Sequence, residues 1–275
     1  MKKNISLLLT MAMTLSISAS KKPKIEGDKN VVLLLKEIHQ DFTKVEVADG
    51  LQVTISQGTS NGYSLNADAN LHNSIRFDVF EGTLKIFTTN QITKSKKLAI
   101  HLTVVQLQEL MIKDDAKVIG EGRFTSDQIS IMGFDRSTFE MEMVTDGLDI
   151  ELNQNATGTF SAIAKSSRVF LNDKSNLKGT LNTNTITVGL KDAAELDVEG
   201  DATTADYTIA RASKLNARNM RAKTAELASG NTADVYVRAA QNLGVNAKGK
   251  STIYVYGNPE IALHQLDDKA KIIKK

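Results

Sequence analysis

Three groups of residues have types and spacings that chemistry could use. Gly244, Gly249, Lys250 and Ser251 fit G-x-x-x-x-G-K-S, the loop that wraps nucleotide phosphates. That loop needs a strand before it and a helix N-terminus after it, so that amides and the helix dipole face the phosphates. Ser251 instead opens a β-branched, aromatic stretch, Thr252-Ile253-Tyr254-Val255-Tyr256, that ends at Gly257 and Pro259. The match therefore reads as a turn between strands. The second group is Asp114, Asp135, Gln154, Asp173, Asp192, Arg211 and Asn231, which recur at one phase of a repeat. A calcium site needs several oxygens converging to about 2.5 Å from one point. Here Gln154 interrupts the acids, and Lys174 and Lys191 stand beside them. The group reads as a ladder of turn residues that cap main-chain amides, with no metal.

The third group is a patch of Tyr and Arg: Arg218, Tyr236, Arg238, Tyr254 and Tyr256. Flat rings and forked guanidinium donors suit protein partners and sugars. The competing reading is a cross-strand ladder that stiffens the coils it sits on. These five residues form the candidate partner-binding surface. The histidines, His39, His72, His101 and His264, show no metal spacing and no accompanying serine elbow, so each reads as a surface residue. The chain has no Cys. Disulfides, thiol catalysis, thiolate metal sites and a lipoprotein anchor are therefore excluded. No catalytic residues and no cofactor are expected.

The elements that carry these groups follow from a short, steady period. Small residues Ala116, Ser137, Ala156, Ser175, Ala194, Ser213, Ala233 and Ser251 are spaced 21, 19, 19, 19, 19, 20 and 18 apart. Six positions before them stand Leu110, Ile131, Ile150, Val169, Val188, Tyr207, Leu227 and Val245, all apolar or aromatic. Two positions after them, Val118, Phe139, Leu177, Leu196, Leu215, Val235 and Ile253 are apolar, and Gly158 alone is not. Polar residues fall between, a period of two that means strands with one buried face. The expected fold is all-β: a right-handed parallel β-helix, a single-domain solenoid. Each coil is expected to hold two or three short strands joined by polar turns. A lone coil cannot bury enough apolar surface to offset the entropy of ordering it, so the coils fold only as a stack.

Around the repeat, residues 38–104 alternate without keeping the period and read as a strand-rich N-terminal region that shields the first coil's open edge. Glu81-Gly82-Thr83 reads as a hairpin turn. The expected domain plan is a signal peptide at 1–20, an N-terminal extension at 21–37 and one β-helix domain at 38–260. Within that domain, about eight regular coils occupy 105–260, and a C-terminal tail follows at 261–275. The signal reading rests on Lys2 and Lys3, the apolar run Ile5 to Ile17, and Ser18-Ala19-Ser20. It implies export through the Sec route to the periplasm, the cell surface or beyond. Without residues 1–20, Lys+Arg falls from 34 to 32, level with 32 Asp+Glu. No clustered basic surface remains for nucleic acid, and no later stretch is long and apolar enough to span a bilayer.

Several segments resemble a bacterial family. They are Asp41-Phe42-Thr43-Lys44-Val45-Glu46-Val47 with Leu51, Val53, Ile55, Gln57 and Gly58, then Asn66-Ala67-Asp68, Gly82-Thr83-Leu84-Lys85-Ile86 and Tyr256-Gly257-Asn258-Pro259. Together they resemble the auto-transporter adhesin, head GIN domain family, exported β-helix proteins of Bacteroidetes-type bacteria. The resemblance spans about residues 27–260 and implies an exported, surface-exposed, non-catalytic protein. It brings no catalytic residues with it.

The functional expectation is thus an adhesin-like module or envelope scaffold that binds a cell-surface glycan or an envelope protein. A second reading is a β-helix carbohydrate enzyme, a polysaccharide lyase or hydrolase. Such enzymes need a walled groove with paired carboxylates, or with acids beside Lys or Arg. The absence of Trp, the few aromatics and coil lengths of only 18 to 21 argue against it. A homo-oligomer joined end to end through the last coil is a third expectation.

Overall fold

The computed structural model describes residues 21–275. The signal peptide expected at 1–20 lies outside the described residues. The N-terminal part contains Lys24–Glu26 (β1), Val31–Glu37 (β2), Lys44–Val47 (β3), Gln52–Gln57 (β4), Gly62–Asp68 (β5), Ile75–Phe80 (β6), Thr83–Thr88 (β7), Gln91–Lys94 (β8) and Leu98–Val104 (β9). The coils follow as Glu109–Ile112 (β10), Lys117–Gly133 (β11), Thr138–Leu152 (β12), Thr157–Leu171 (β13), Asn176–Leu190 (β14), Glu195–Ile209 (β15), Lys214–Ser229 (β16), Asp234–Ala247 (β17), Thr252–Tyr256 (β18), Glu260–Leu266 (β19) and Lys271–Lys274 (β20). From β10 onward every pairing is parallel, each coil lying on the next. The fold is a β-solenoid of about nine turns.

The period two of the sequence is the inside and outside of this coil. All eight small markers are buried, as are the residues six before them, from Leu110 to Val245. Gly158, the exception at the next inward position, has a physical cause. The Phe139 ring of the preceding coil fills the space that a side chain at Gly158 would take. Two features turn the chain. The first is a four-residue turn before each marker, where Asp114, Asp135, Gln154, Asp173, Asp192, Arg211 and Asn231 each adopt a positive φ of 52 to 69°. The second is a corner inside the strand. Lys165 and Ser166 both point outward, and the ladder skips the pair Asp146–Lys165. The chain bends there without leaving the sheet, so most coils are one strand of 14 to 17 residues rather than two or three short ones.

At the N-terminal end, stacking order departs from chain order. The pair β3–β4 lies between β7–β9 on one side and β10–β11 on the other. Antiparallel strands then close the ladder: β6 beside β7, and β5 followed by β2 beside β9. Glu81 and Gly82, both with positive φ, form the expected hairpin turn between β6 and β7.

The ladder does not stop at residue 260. The segment expected to be a C-terminal tail continues the stack: β19 pairs with β17, and β20 pairs with β18. Among the described residues this last coil has a neighbour on one side only, and Leu263 and Leu266 are exposed. Ile261, Ala270 and Ile272 are partly buried against the core, and the other inward positions are less apolar, so the sequence pattern fades there.

Candidate functional site

The Tyr/Arg patch lies on the outer side of β16, β17 and β18. Register alone stacks four outward positions: Asn216 beside Tyr236, Tyr236 beside Tyr254, and Tyr254 beside Ile273. Arg238 lies beside Tyr256. Arg218 reaches the patch by another route. Its coil carries one extra residue, so Asn216 and Asn219 oppose Asp197 and Glu199. The chain bulges there, and bulges re-aim side chains. The Arg218 carbonyl accepts a hydrogen bond from Arg238 Nε at 2.7 Å.

The structure therefore brings the five residues together, but not as open ring faces. Tyr236 and Tyr254 are stacked on each other, with centroids 4.6 Å apart and planes 14° from parallel. Lys275 Nζ lies 5.3 Å from the Tyr254 centroid. Both rings are half-buried, as are Arg238 and Tyr256, and Arg218 is exposed. Burial raises the Tyr236 hydroxyl above the usual phenol range, with Tyr254, Asp234 and Tyr256 adding to the shift and Arg218 opposing it. The surface offers hydroxyls, ring edges and two guanidinium groups.

At the acidic phase Asp135, Gln154, Asp173 and Asn231 cap main-chain amides, whereas Asp192 pairs with Arg211. Asp135 Oδ2 accepts the N–H of Asp114 at 3.0 Å, Gln154 Oε1 that of Asp135 at 2.6 Å, and Asp173 Oδ2 that of Gln154 at 3.1 Å. Asn231 Oδ1 does the same for Arg211, and Asp268 Oδ2 for Gly249. Each side chain satisfies an amide one coil away that the left-handed turn would leave unpaired. Oxygens engaged this way point along the stack and do not converge. The loop-like Gly244-to-Ser251 segment is one more of these turns. Gly249 takes the left-handed position with φ 76°, Ser251 is buried with its Oγ donating to the Lys248 carbonyl, and a strand follows.

One polar cluster escapes sequence reasoning. His101 Nε2 and Ser56 Oγ are 2.9 Å apart, and His101 Nδ1 lies 3.5 Å from Glu121 Oε2. The three residues sit on β9, β4 and β11. Nothing in their spacing suggests the meeting, because β4 lies between β9 and a strand that comes later in the chain. The order Ser–His–Glu is that of an acyl-transfer triad. However, Ser56 pairs with Thr103 on one side and Glu121 on the other. Its strand is laddered on both edges, so the main-chain amides that would stabilise an oxyanion are committed to the sheet. The other histidines stay apart: His39 is exposed, His72 Nε2 meets the Ala67 carbonyl, and His264 faces Glu226 at 3.5 Å.

Among the described residues no helix is long and apolar enough to cross a membrane. A family model described as putative auto-transporter adhesin, head GIN domain, matches residues 41–259. No curated protein matches the sequence. Solved structures do match. A putative adhesin from Parabacteroides merdae superposes with a TM-score of 0.70 at 15% identity, over 92% of this chain and 99% of that one. One from Parabacteroides distasonis gives 0.69 at 16%, over 92% and 100%. A putative lipid binding protein from Parabacteroides distasonis gives 0.60 at 18%, over 91% and 96%. At these identities the likeness is one of fold.

Proposed function

The chain belongs to the putative auto-transporter adhesin, head GIN domain family, and we propose that it is an exported, non-catalytic binding module of the cell envelope. In this reading the coils are a rigid rack, and a ligand is recognised by side chains displayed on its outer faces. The observation that carries it is coil uniformity. From Ala116 to Ser251 the turns lie 18 to 21 residues apart, and single strands of 14 to 17 residues fill the coils. No coil there has room for the long loops that wall a carbohydrate enzyme's groove, whereas even faces suit a partner that lies across several coils. The signal expected at 1–20 and the adhesin family support location at the periplasm, the cell surface or outside the cell.

The Tyr/Arg patch is the proposed contact surface, and a cell-surface glycan or envelope protein its partner. Hydroxyls of Tyr254 and Tyr256, with Arg218 and Arg238, would hydrogen-bond a polar ligand from the side. The test is binding of the full chain and of Tyr254→Ala/Tyr256→Ala to isolated cell-surface polysaccharide and envelope protein. Loss of at least tenfold in affinity for one of them is expected. Equal affinity of the two proteins for both would overturn the assignment.

A second reading has one specific observation in its favour. A groove of about 850 Å³ near β1 and β8 is lined by Lys21, Lys22, Lys24, Leu51, Ile92 and Leu98, and by Asp49, which pairs with Lys22. Lys21 and Lys24 among apolar side chains suit an anionic amphiphile, and one structural relative is named for lipid binding. Co-sedimentation with phosphatidylglycerol vesicles that survives Lys21→Ala/Lys24→Ala would remove this reading.

A further inference from the structure

The strand β2 ends the N-terminal sheet with one edge open. Among the described residues it pairs with β5 and with no other strand. The Asn30 carbonyl accepts from Ala69 N at 2.8 Å, and Ile38 N donates to the Asn61 carbonyl at 3.0 Å. In an antiparallel pair both groups of one residue point the same way and alternate along the strand. The even residues of β2 therefore face β5, and the N–H and C=O groups of Val31, Leu33, Leu35 and Glu37 face outward. The side chains are as unusual as the edge. Val32, Leu33, Leu34 and Leu35 are consecutive and exposed on both faces of the sheet, with Leu33 57% and Leu35 71% accessible. Natural edges are shortened, charged or bulged to prevent pairing. Between Val31 and Leu35 this one carries no charge, Pro or Gly.

We propose that β2 is a dimerisation edge and that its occupant is β2 of a second copy, antiparallel, about a two-fold axis at Leu33. The pattern of residues selects both the partner and the register. With Leu33 opposite itself, Val31 meets Leu35 of the other copy and Val32 meets Leu34, so every central pair is apolar on both faces. The same register brings Glu37 at the end of β2 near the turn of the other copy that carries Lys29, two residues before its β2 and with φ 67°. It also matches Val31, Leu33 and Leu35, whose main-chain groups are free, with one another. Shifting the axis to Leu34 sets Val32 against Lys36 and Val31 against Glu37, which buries charge against apolar side chains. The joined sheet then runs from β4 through β9, β5 and β2 into the second molecule, with a solenoid on each side. Interfaces with this symmetry are self-complementary by construction.

The test uses sedimentation equilibrium of the full chain together with cysteine cross-linking. The chain has no Cys, so any disulfide formed must join two copies. Residues directly opposite in an antiparallel pair have Cα atoms about 4.5–5.5 Å apart, within disulfide reach. A dimer mass is expected at micromolar concentration, and Leu33→Cys should cross-link on oxidation while Leu34→Cys should not. Glu37→Lys should weaken the dimer at least tenfold, and adding Lys29→Glu should restore it. A monomer mass at about 100 µM would overturn the proposal, as would cross-linking through Leu34→Cys in place of Leu33→Cys. Monomers that bind vesicles through Leu33 and Leu35 would overturn it as well.

Discussion

Tyr236 and Tyr254 lie one coil apart with their rings in contact, centroids 4.6 Å apart and planes 14° from parallel. Register brings them together, because the two positions are direct partners in the β17–β18 ladder. Offset aromatic pairs contribute about 0.5–1.5 kcal/mol beyond the area they bury. A double-mutant cycle with Tyr236→Ala and Tyr254→Ala, read by chemical denaturation, should return a coupling of about 1 kcal/mol. A coupling near zero would mean that the two rings stand independently and remain open for a ligand.

The turn ladder makes a prediction that separates capping from metal binding. Asp173 Oδ2 accepts the Gln154 amide at 3.1 Å, and Asp173 itself has φ 60°. Asn keeps the acceptor and tolerates the left-handed region, whereas Ala does neither. Asp173→Ala should cost about 1–2 kcal/mol and Asp173→Asn less than about 0.5 kcal/mol. A calcium site would behave otherwise: the Asn variant would lose calcium-dependent stabilisation, so a thermal melt with and without calcium distinguishes the two.

Tyr207 replaces an aliphatic residue inside the coil. It is fully buried, and its hydroxyl has no hydrogen-bond partner among the described residues. Burial pushes its ionisation far above the ordinary phenol range. Tyr207→Phe should stabilise the protein by about 1 kcal/mol at neutral pH, because an unsatisfied buried hydroxyl costs roughly that or more. The pH dependence has a definite sign. The unfolded chain ionises this tyrosine near the ordinary phenol value of about 10, while the folded chain keeps it neutral. Stability is therefore intact below about pH 10 and falls above it. The Phe variant should lose less stability between about pH 9 and 11 than the parent.

The Ser56–His101–Glu121 cluster has the order of a hydrolytic triad, with Ser56 on a strand laddered on both edges. A triad alone, lacking an oxyanion hole, gives up about 10²–10³ in rate. Hydrolysis of p-nitrophenyl acetate by the full chain should equal that by Ser56→Ala within error. A parent rate tenfold above the variant would establish acyl-transfer chemistry and overturn the non-catalytic reading.

What the sequence disclosed, and what it concealed, follows from where the ladder keeps chain order. From Leu110 to Ile253, position within the period predicts burial, because each coil rests on the one before it. The αL turns were visible as Asn, Asp and small residues two before each marker, although the left-handed backbone at Gln154 and Arg211 was not. At the N-terminal end β3–β4 is sandwiched between strands whose partners follow it by 39 to 47 residues on one side and by 65 on the other, so no fixed period exists to detect. The meeting of Ser56, His101 and Glu121 was hidden for that reason. The pattern places Tyr236 and Tyr254 on one face, but the approach of Lys275 depends on β20, where the alternation has faded and no coil is legible.

Gly158 and Phe139 offer the sharpest test of coil-on-coil packing. They are ladder partners, and a Cβ on Gly158 would lie 2.1 Å from Phe139 Cε1. The large residue of one coil thus depends on the absence of a side chain in the next. Gly158→Ala should destabilise the protein by about 1–3 kcal/mol, the usual cost of overpacking. Phe139→Leu alone should also destabilise it, by about 1 kcal/mol or more, through the cavity it leaves. Combined, the two should cost less than Gly158→Ala alone, because the new methyl group occupies space that the ring vacated. Denaturation midpoints of the four proteins decide it: additive losses would mean that the coils relax independently and that the Phe–Gly pairing carries no packing constraint.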